Sequence, residues 1–411
     1  MGDKQLESIW SFSYVALLIV NFLGGMGQMV GSTIIPLYAR DLGIAATTVG
    51  FIAGAFAITA LLARPFAGPA IDSFPKKPLF LFSAGIMAIS FPLYPLATTP
   101  EAMLAIRLLS GLGNGCMGPL GLAIVSELVP MSRLSSGISI YALSFSVAQA
   151  IGPAFGIWCK DVFGYTATFV SSGAFVAFSC VLIAFMKLPN RPDRPPFQLR
   201  LDRIFAKQAF IPTAIVFLLA IAFSCTGAFM AIYGELRGVA EIGMYFTVYA
   251  VCLTATRPLF GRLADEHGTT VVIVPAICCF AASYIIVSFA DGLPGFLIAA
   301  VIAACGYGVA SPLAQAIMVK VVPETLRGAG GNTIYTGIDA ANLVGPTLGG
   351  FAVETLLPIA GSEAAAYSQM WLIMLIPIAA ALVLYITQRT HLRELQTAVK
   401  TSDIKEHSNA K

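Results

Sequence analysis

The chain has 411 residues, 57% of them hydrophobic and only 11% charged. A soluble domain carries roughly 25% charged residues, so composition excludes a soluble globular protein. The net charge of +3 gives no sign of a nucleic-acid partner. The charges are bunched, and between the bunches run apolar segments near the ~20 residues a helix needs to cross a hydrocarbon core.

Twelve such segments can be read, at about 12–37, 46–68, 79–97, 101–126, 136–158, 165–187, 208–233, 240–264, 270–290, 293–319, 329–352 and 366–387. Membrane barrel strands are about ten residues long and alternate in polarity. These segments do neither, so the expected fold is all-α and membrane-integral. Residues on one helix face recur every three or four positions, and several segments carry polar residues at that spacing.

The first segment is longer than the 7–15 residues of a signal-peptide core, and no small-residue cleavage site stands out. The start MGDKQL lacks the Ser or Thr that myristoylation needs at position six. Its stripe is Asn21, Gly25, Gln28 and Ser32. The second segment ends on Arg64 and Gly68 and runs into Asp72, Lys76 and Lys77. The fourth holds Arg107, Asn114 and Gly118, and the fifth Ala142, Ser146 and Gln149 followed by Gly152 and Pro153. Residues 188–207, LPNRPDRPPFQLRLDRIFAK, break the apolar rhythm with four prolines and a run of charges, which marks a linker.

The eighth segment carries Arg257 and Gly261 and runs into Asp265, the tenth carries Tyr307, Ser311 and Gln315, and the eleventh carries Asn332, Tyr335, Asp339 and Asn342 before Gly345 and Pro346. Stripes facing lipid would leave these groups without partners, so they are expected to face protein or a water-filled cavity. The expected organisation is a six-helix bundle over 1–187, a linker over 188–207, a second six-helix bundle over 208–390, and a disordered polar tail over 391–411.

The two bundles repeat at an offset of 193. Arg64-Pro65, Gly68 and Asp72 match Arg257-Pro258, Gly261 and Asp265; Gly113, Gly115 and Pro119 match Gly306, Gly308 and Pro312. Val129-Pro130 matches Val322-Pro323, and Gly152-Pro153 with Gly156 matches Gly345-Pro346 with Gly349. With six spans each, the halves share one topology, and transporters of that plan hold substrate near the midplane.

Orientation follows from the 24 lysines and arginines. All but Arg40, Lys160, Arg237 and the intramembrane Arg107 fall on one side, so the positive-inside rule puts both termini and the linker in the cytoplasm.

Asp339 is the only acid deep within a span, roughly 15 Å from the inner end of its helix at 1.5 Å per residue. A carboxylate there costs at least about 2.5–3.5 kcal/mol. Desolvation favours its neutral form and water or a cation favours the anion, so alternation between the two would make it a proton carrier. A structural ion pair or a hydrogen-bonded neutral acid is the other reading. Arg107 is the only base deep in a span; proton coupling, an anion site and helix packing all remain open for it.

The loop GPAIDSFPKK resembles the Gly-x-x-x-Asp-Arg-x-Gly-Arg-Lys loop of the major facilitator superfamily, with Gly68, Asp72, Lys76 and Lys77 in place and Ser73 and Pro75 as departures. The second copy, GRLADEHGTT, keeps Gly261, Asp265 and Gly268. RLLSGLGNG resembles the family's Arg-x-x-x-Gly-x-Gly block, and AIGPAFG the Gly-Pro block of the twelve-helix drug:proton antiporters. The resemblance covers all but the tail. It implies a cytoplasmic gate at Arg64, Gly68, Asp72, Lys76, Arg257, Gly261 and Asp265, helix bends at Gly152-Pro153 and Gly345-Pro346, and proton coupling through Arg107.

Many such antiporters carry an acid in the first helix, where this chain has Asn21 and Gln28. The resemblance further implies a major facilitator fold whose cavity is lined by Asn21, Gln28, Asn114, Ser146, Gln149, Tyr307, Ser311, Gln315, Tyr335 and Asn342. The expected function is proton-coupled efflux of small amphipathic molecules from a bacterial inner membrane. The alternative is a proton-coupled uptake symporter for a small polar or anionic metabolite. The expected partners are a small-molecule substrate, protons and the bilayer, and a monomer suffices for this fold. The eight cysteines form no CxxC pair and are expected to be packing thiols, with no metal or cofactor. The histidines lie in loops or the tail, and no HExxH, GxSxG or phosphate-binding loop occurs, so no enzyme is expected.

Overall fold

The computed structural model describes residues 9–130, 133–188, 197, 205–323 and 326–409, and among them every extended regular element is a helix. In hydrocarbon each backbone N–H and C=O must find its partner within the chain, and these apolar runs find theirs within the helix. In chain order the helices are α1 (Phe12–Asp41), α2 (Ala46–Gly54), α3 (Phe56–Ser73), α4 (Lys76–Leu93), α5 (Pro100–Leu128) and α6 (Leu134–Phe185). Then come α7 (Phe210–Leu236), α8 (Gly243–His267), α9 (Thr269–Ser288), α10 (Leu293–Val321), α11 (Arg327–Ala360), α12 (Glu363–Ile373) and α13 (Leu375–Asn409).

Ten stretches are long and apolar enough to cross a membrane, and one of them, Ser136–Phe185, has 50 residues. That is length for two crossings, and the chain turns inside it at Gly164, with φ 80° and ψ 175°, a backbone that glycine alone adopts at little cost. The eighth expected span is α8. It is less apolar because its last turns carry Arg257, Arg262, Asp265, Glu266 and His267. With it the crossings number twelve among the described residues, in the helical order expected of the major facilitator fold.

Two spans are each made of two helices, broken at Ala55 between α2 and α3 and at Met374 between α12 and α13. The polar tail differs from expectation. Instead of ending near residue 390, the last helix continues to Asn409. Most of the 188–207 linker lies outside the described residues.

Contacts divide the chain into two compact units, Met1–Ile34 with Thr59–Leu199, and Ile35–Ile58 with Arg200–Lys411. In the first unit α6 lies against α1: Tyr14 donates to the Gly137 carbonyl at 2.8 Å, and an added Cβ at Gly152 would come within 2.6 Å of Met29 Cβ. Gly113 presses α5 onto α4 at the Ser83 carbonyl, and Gly115 lets it approach Ala60 of α3.

The second unit repeats these approaches. Gly345 presses α11 onto α7 at Ile221 and Ser224, Gly306 presses α10 onto the Phe280 backbone of α9, and Gly308 meets Leu253 of α8. Small residues at such seams let membrane helices close to van der Waals distance, where packing holds them together. The glycines of the two Gly-Pro pairs make such approaches, and α6 and α11 run on as helix past Pro153 and Pro346.

Candidate functional site

Each unit carries its own set of polar groups. In the first, Arg107 is 7% exposed on α5. Its guanidinium lies against the hydroxyl of Tyr94, close enough to interact, although that buried oxygen makes no well-aligned hydrogen bond. Tyr94 is itself held by stacking on Phe169, with ring centroids 5.1 Å apart. Asn21 of α1 is anchored to α6, its Nδ2 donating to the Tyr141 carbonyl at 2.9 Å and to Ser144 Oγ at 2.8 Å. Ser146 Oγ donates to the Ala142 carbonyl of its own helix at 3.2 Å. Gln28, Asn114 and Gln149 are half-buried.

In the second unit Asp339 is 6% exposed on α11. It shares that helix with half-buried Asn342 and with Tyr335, which is exposed. Further polar and aromatic groups of this unit lie on α7, α8 and α10. Tyr307 stacks on Phe223 with centroids 3.9 Å apart and planes 6° off parallel, and Phe223 meets Tyr249 at 5.6 Å. Gln315 Nε2 reaches Ser311 Oγ at 3.4 Å. The Ser224 hydroxyl lies 3.3 Å from the Ala341 carbonyl, which ties α7 to the helix of Asp339.

The expected gating residues are unevenly engaged. Lys76 Nζ lies 2.6 Å from Glu127 Oε1, with the two side chains only 11% and 6% exposed. Arg64 is half-buried and Arg257 and Asp265 are exposed. An added Cβ at Gly68 or Gly261 would meet nothing within 4 Å. The Asp72 side chain lies outside the described residues.

Sequence reasoning missed Glu127, Tyr94 and Phe223. Glu127 sits just past the expected end of the fourth segment, and only folding brings Lys76, 51 residues earlier, beside it. Tyr94 and Phe223 read as ordinary apolar-segment aromatics. No signal in the linear chain separates them from the other aromatics.

Twelve helical crossings in two glycine-seamed repeats, with a buried acid in one and a buried base in the other, define a polytopic membrane protein built to present polar groups within the bilayer. The family model for the Major Facilitator Superfamily matches residues 17–240 and 212–408, and the chain belongs to that superfamily of transporters.

Among curated proteins it is similar to Multidrug resistance protein 1 of Bacillus subtilis (strain 168), 22% identical over 347 residues, covering 82% of this chain and 88% of the relative. It is similar also to Quinolone resistance protein NorA of Staphylococcus aureus, 19% identical over 358 residues with 82% and 88% covered. The Staphylopine export protein of Staphylococcus aureus (strain Mu50 / ATCC 700699) is 24% identical over 277 residues, 64% of this chain and 68% of that one. Among solved structures, a bacterial homologue of the human lysosomal transporter Spinster superposes with a TM-score of 0.78 at 14% identity, covering 96% of this chain and 99% of that one. The nucleoside transporter NupG gives 0.73 at 15% identity, with 93% and 98% covered. These two likenesses speak for the fold.

Proposed function

We propose that this transporter is a proton-coupled antiporter that exports small amphipathic molecules by alternating access. The observation that carries the reading is Asp339, a carboxyl buried midway along a membrane helix. Such a group is expensive in a membrane, and where one persists it marks an ion pathway or a proton relay. Protonation from outside and release inside would couple the gradient to the cycle, with Arg107 as the second coupling group. Asn21, Gln28, Asn114, Ser146, Gln149, Tyr307, Ser311, Gln315, Tyr335 and Asn342 would contact the substrate. Arg64, Gly68, Asp72, Lys76, Arg257, Gly261 and Asp265 would form the inner gate.

The printed names of the bacterial relatives, multidrug and quinolone resistance proteins and an export protein, favour efflux. The lysine and arginine bias supports cytoplasmic termini in a bacterial inner membrane, with the chain working as a monomer. The neutral polar stripes of the first repeat, together with Arg107, favour the second reading, uptake of a small polar or anionic metabolite by proton symport. Flux of a quinolone and of a fluorescent lipophilic cation into inverted vesicles, with and without an imposed proton gradient, separates the two. Gradient-driven accumulation inside the vesicles is expected. Gradient-driven depletion would turn the assignment to uptake, and flux indifferent to the gradient would remove proton coupling.

A further inference from the structure

The resemblance alone assigns Arg257 to a gate, and its surroundings describe something else. On α8 it follows Tyr249 and Leu253 at spacings of four, so the three share one face. That face packs on α10: an added Cβ at Gly308 would collide with Leu253 and would stand 3.8 Å from the Tyr249 hydroxyl. Tyr249 and Leu253 are 5% and 2% exposed there, whereas Arg257, one turn on, is exposed. The seam between α8 and α10 is closed at Leu253 and open at Arg257.

An arginine near the end of a membrane helix usually extends its charge back toward the headgroups. Asp265 and Glu266 mark the polar end of α8, and Arg257 stands two turns before them, about 12 Å at 1.5 Å per residue. Its guanidinium runs the other way. It lies near enough to the phenols of Tyr249 and Tyr307 to interact with both, and these residues precede the Leu253–Gly308 contact on their helices. A helical side chain leans toward its own N-terminus, which carries Arg257 in the same direction. Among the described residues Arg257 makes no ion pair. α8 and α10 lie two crossings apart and run the same way, so Ser311 comes level with Arg257 and Gln315 follows one turn beyond. Neither is an acid. The charge has an opening beside it and no counter-charge from the described chain.

The first copy of the repeat matches the arginine without its surroundings. Arg64 stands at the matched position, with Phe56 for Tyr249, Asn114 for Tyr307 and Leu122 for Gln315. A gating role common to both copies gives no reason for that difference; recognition of a ligand by one of them does. The stack of Tyr307 on Phe223 borders the same opening. Both rings are half-buried, and the surface they leave free suits a further flat ring in an offset or edge-on contact.

We propose that Arg257, Tyr249, Tyr307 and Gln315 form a binding site for an aromatic monocarboxylic acid. The guanidinium takes the carboxylate, the two phenols and the amide are further donors, and the ring lies against the Phe223–Tyr307 stack. A planar carboxylate fits the guanidinium fork through two parallel hydrogen bonds. One guanidinium without a partner matches one negative charge, so a phosphate dianion would bring a charge that the site leaves unmatched. The proposal rests on the transporter reading above and narrows its amphipathic substrates to aromatic acids.

The test is binding to the purified full chain in lipid nanodiscs, measured by isothermal titration against empty nanodiscs. The probes are 2-naphthoate, 2-naphthamide, which lacks the charge, and decahydro-2-naphthoate, which lacks the flat ring. The parent is expected to bind 2-naphthoate about tenfold or more tighter than either comparison compound, as a charge-assisted bond and a stacked ring together require. Equal affinity for 2-naphthoate and either of the others, or no binding of any, would overturn the proposal without recourse to a variant. Arg257→Gln is expected to lose the preference for acid over amide while 2-naphthamide binds as before, and Arg257→Lys to keep part of it. An Arg257→Gln protein that binds 2-naphthoate as the parent does would return Arg257 to the gate and overturn the site. The preference in the parent without gradient-driven flux of a quinolone in inverted vesicles would support the site and count against the export reading instead.

Discussion

Gly152 presses α6 against α1 at Met29, and Gly345, its counterpart in the repeat, presses α11 against α7 at Ile221 and Ser224. One turn and a half before each glycine the two copies part ways: the first has Ser146, whose hydroxyl folds back on its own helix, and the second has the buried acid Asp339. The reverse holds elsewhere. Arg107 is buried in the first unit, and its counterpart is Ala300, buried in the second. At the start of α4 and the end of α5, which the reading above assigns to the inner side, the close Lys76–Glu127 pair of the first copy is replaced by Thr269 and Lys320 in the second. The backbone approaches recur because glycine is the only residue that permits them. The charged groups are under no such steric restraint, so each unit carries a different one. The buried acid thus lies in one repeat and the buried base in the other, on one shared skeleton.

The sharpest way to break that comparison is to neutralise the acid. Asparagine nearly matches the size of a protonated aspartic acid but cannot ionise to release a proton. Asp339→Asn is therefore expected to abolish gradient-driven accumulation, a loss of a hundredfold or more, while binding and energy-independent exchange of the same probe survive. If Asp339 instead compensates a buried cation, the change strands that charge at a cost of about 3–5 kcal/mol, and folding and binding fall together with transport. Full gradient-driven transport by the variant would end the proton-carrier reading.

The inner ends come next in size. Removing one member of a buried ion pair costs about 3–5 kcal/mol because the other is left uncompensated. Glu127→Ala is expected to lower the thermal midpoint of the detergent-purified protein sharply. At the matched position Lys320 is exposed, and Lys320→Ala should stay within about 0.5 kcal/mol of the parent. Equal effects would mean that the two inner ends are held alike. Glu127→Gln, which keeps the shape and a hydrogen-bonding oxygen, should recover part of the loss.

The seams offer a smaller contrast. A methyl at Gly152 would come 2.6 Å from Met29 Cβ, whereas one at Gly345 would press closer still on the Ile221 carbonyl and Ser224 Oγ of α7. Overpacking costs typically about 1–3 kcal/mol. Gly345→Ala is expected near the top of that range and Gly152→Ala near the bottom, by thermal melting of the two variants. The reverse order would show that α1, not α7, is the stiffer partner.

These contrasts also mark how far the linear chain could be read. The twelve crossings and the repeat were legible because lipid forces helices and because hydropathy and the offset are properties of the string itself. Asp339 and Arg107 stood out because a charge in an apolar run is conspicuous. What was not legible depends on folding partners. Arg40 could be sorted only as a charge on the outer side, since its partner Glu363 lies 323 residues away. The Gly-Pro blocks read as bends because proline removes an N–H, and nothing in the sequence says that the adjacent glycine faces a neighbouring backbone. The breaks at Ala55 and Met374 lie beside Gly54 and just before Pro377, signals too common in membrane helices to single them out, and the helical course of residues 391–409 runs against their polar composition.

The smallest expected effect concerns two glycines inside helices, Gly68 on α3 and Gly261 on α8. Neither has a positive φ, and a Cβ at either would meet nothing within 4 Å, unlike the seam glycines. Glycine inside a helix costs roughly 0.5–1 kcal/mol relative to alanine through the entropy of the unfolded chain. Gly68→Ala and Gly261→Ala should therefore each raise stability by about that amount. If these glycines are needed bare only in another state of the cycle, as the inner-gate proposal requires, the same variants should transport more slowly although they melt later. That split between stability and flux is the expected outcome, and it is read by measuring both on one preparation. A rise in stability with flux unchanged would leave Gly68 and Gly261 outside the gate. A fall in stability would mean that a neighbour closes on them in the resting protein.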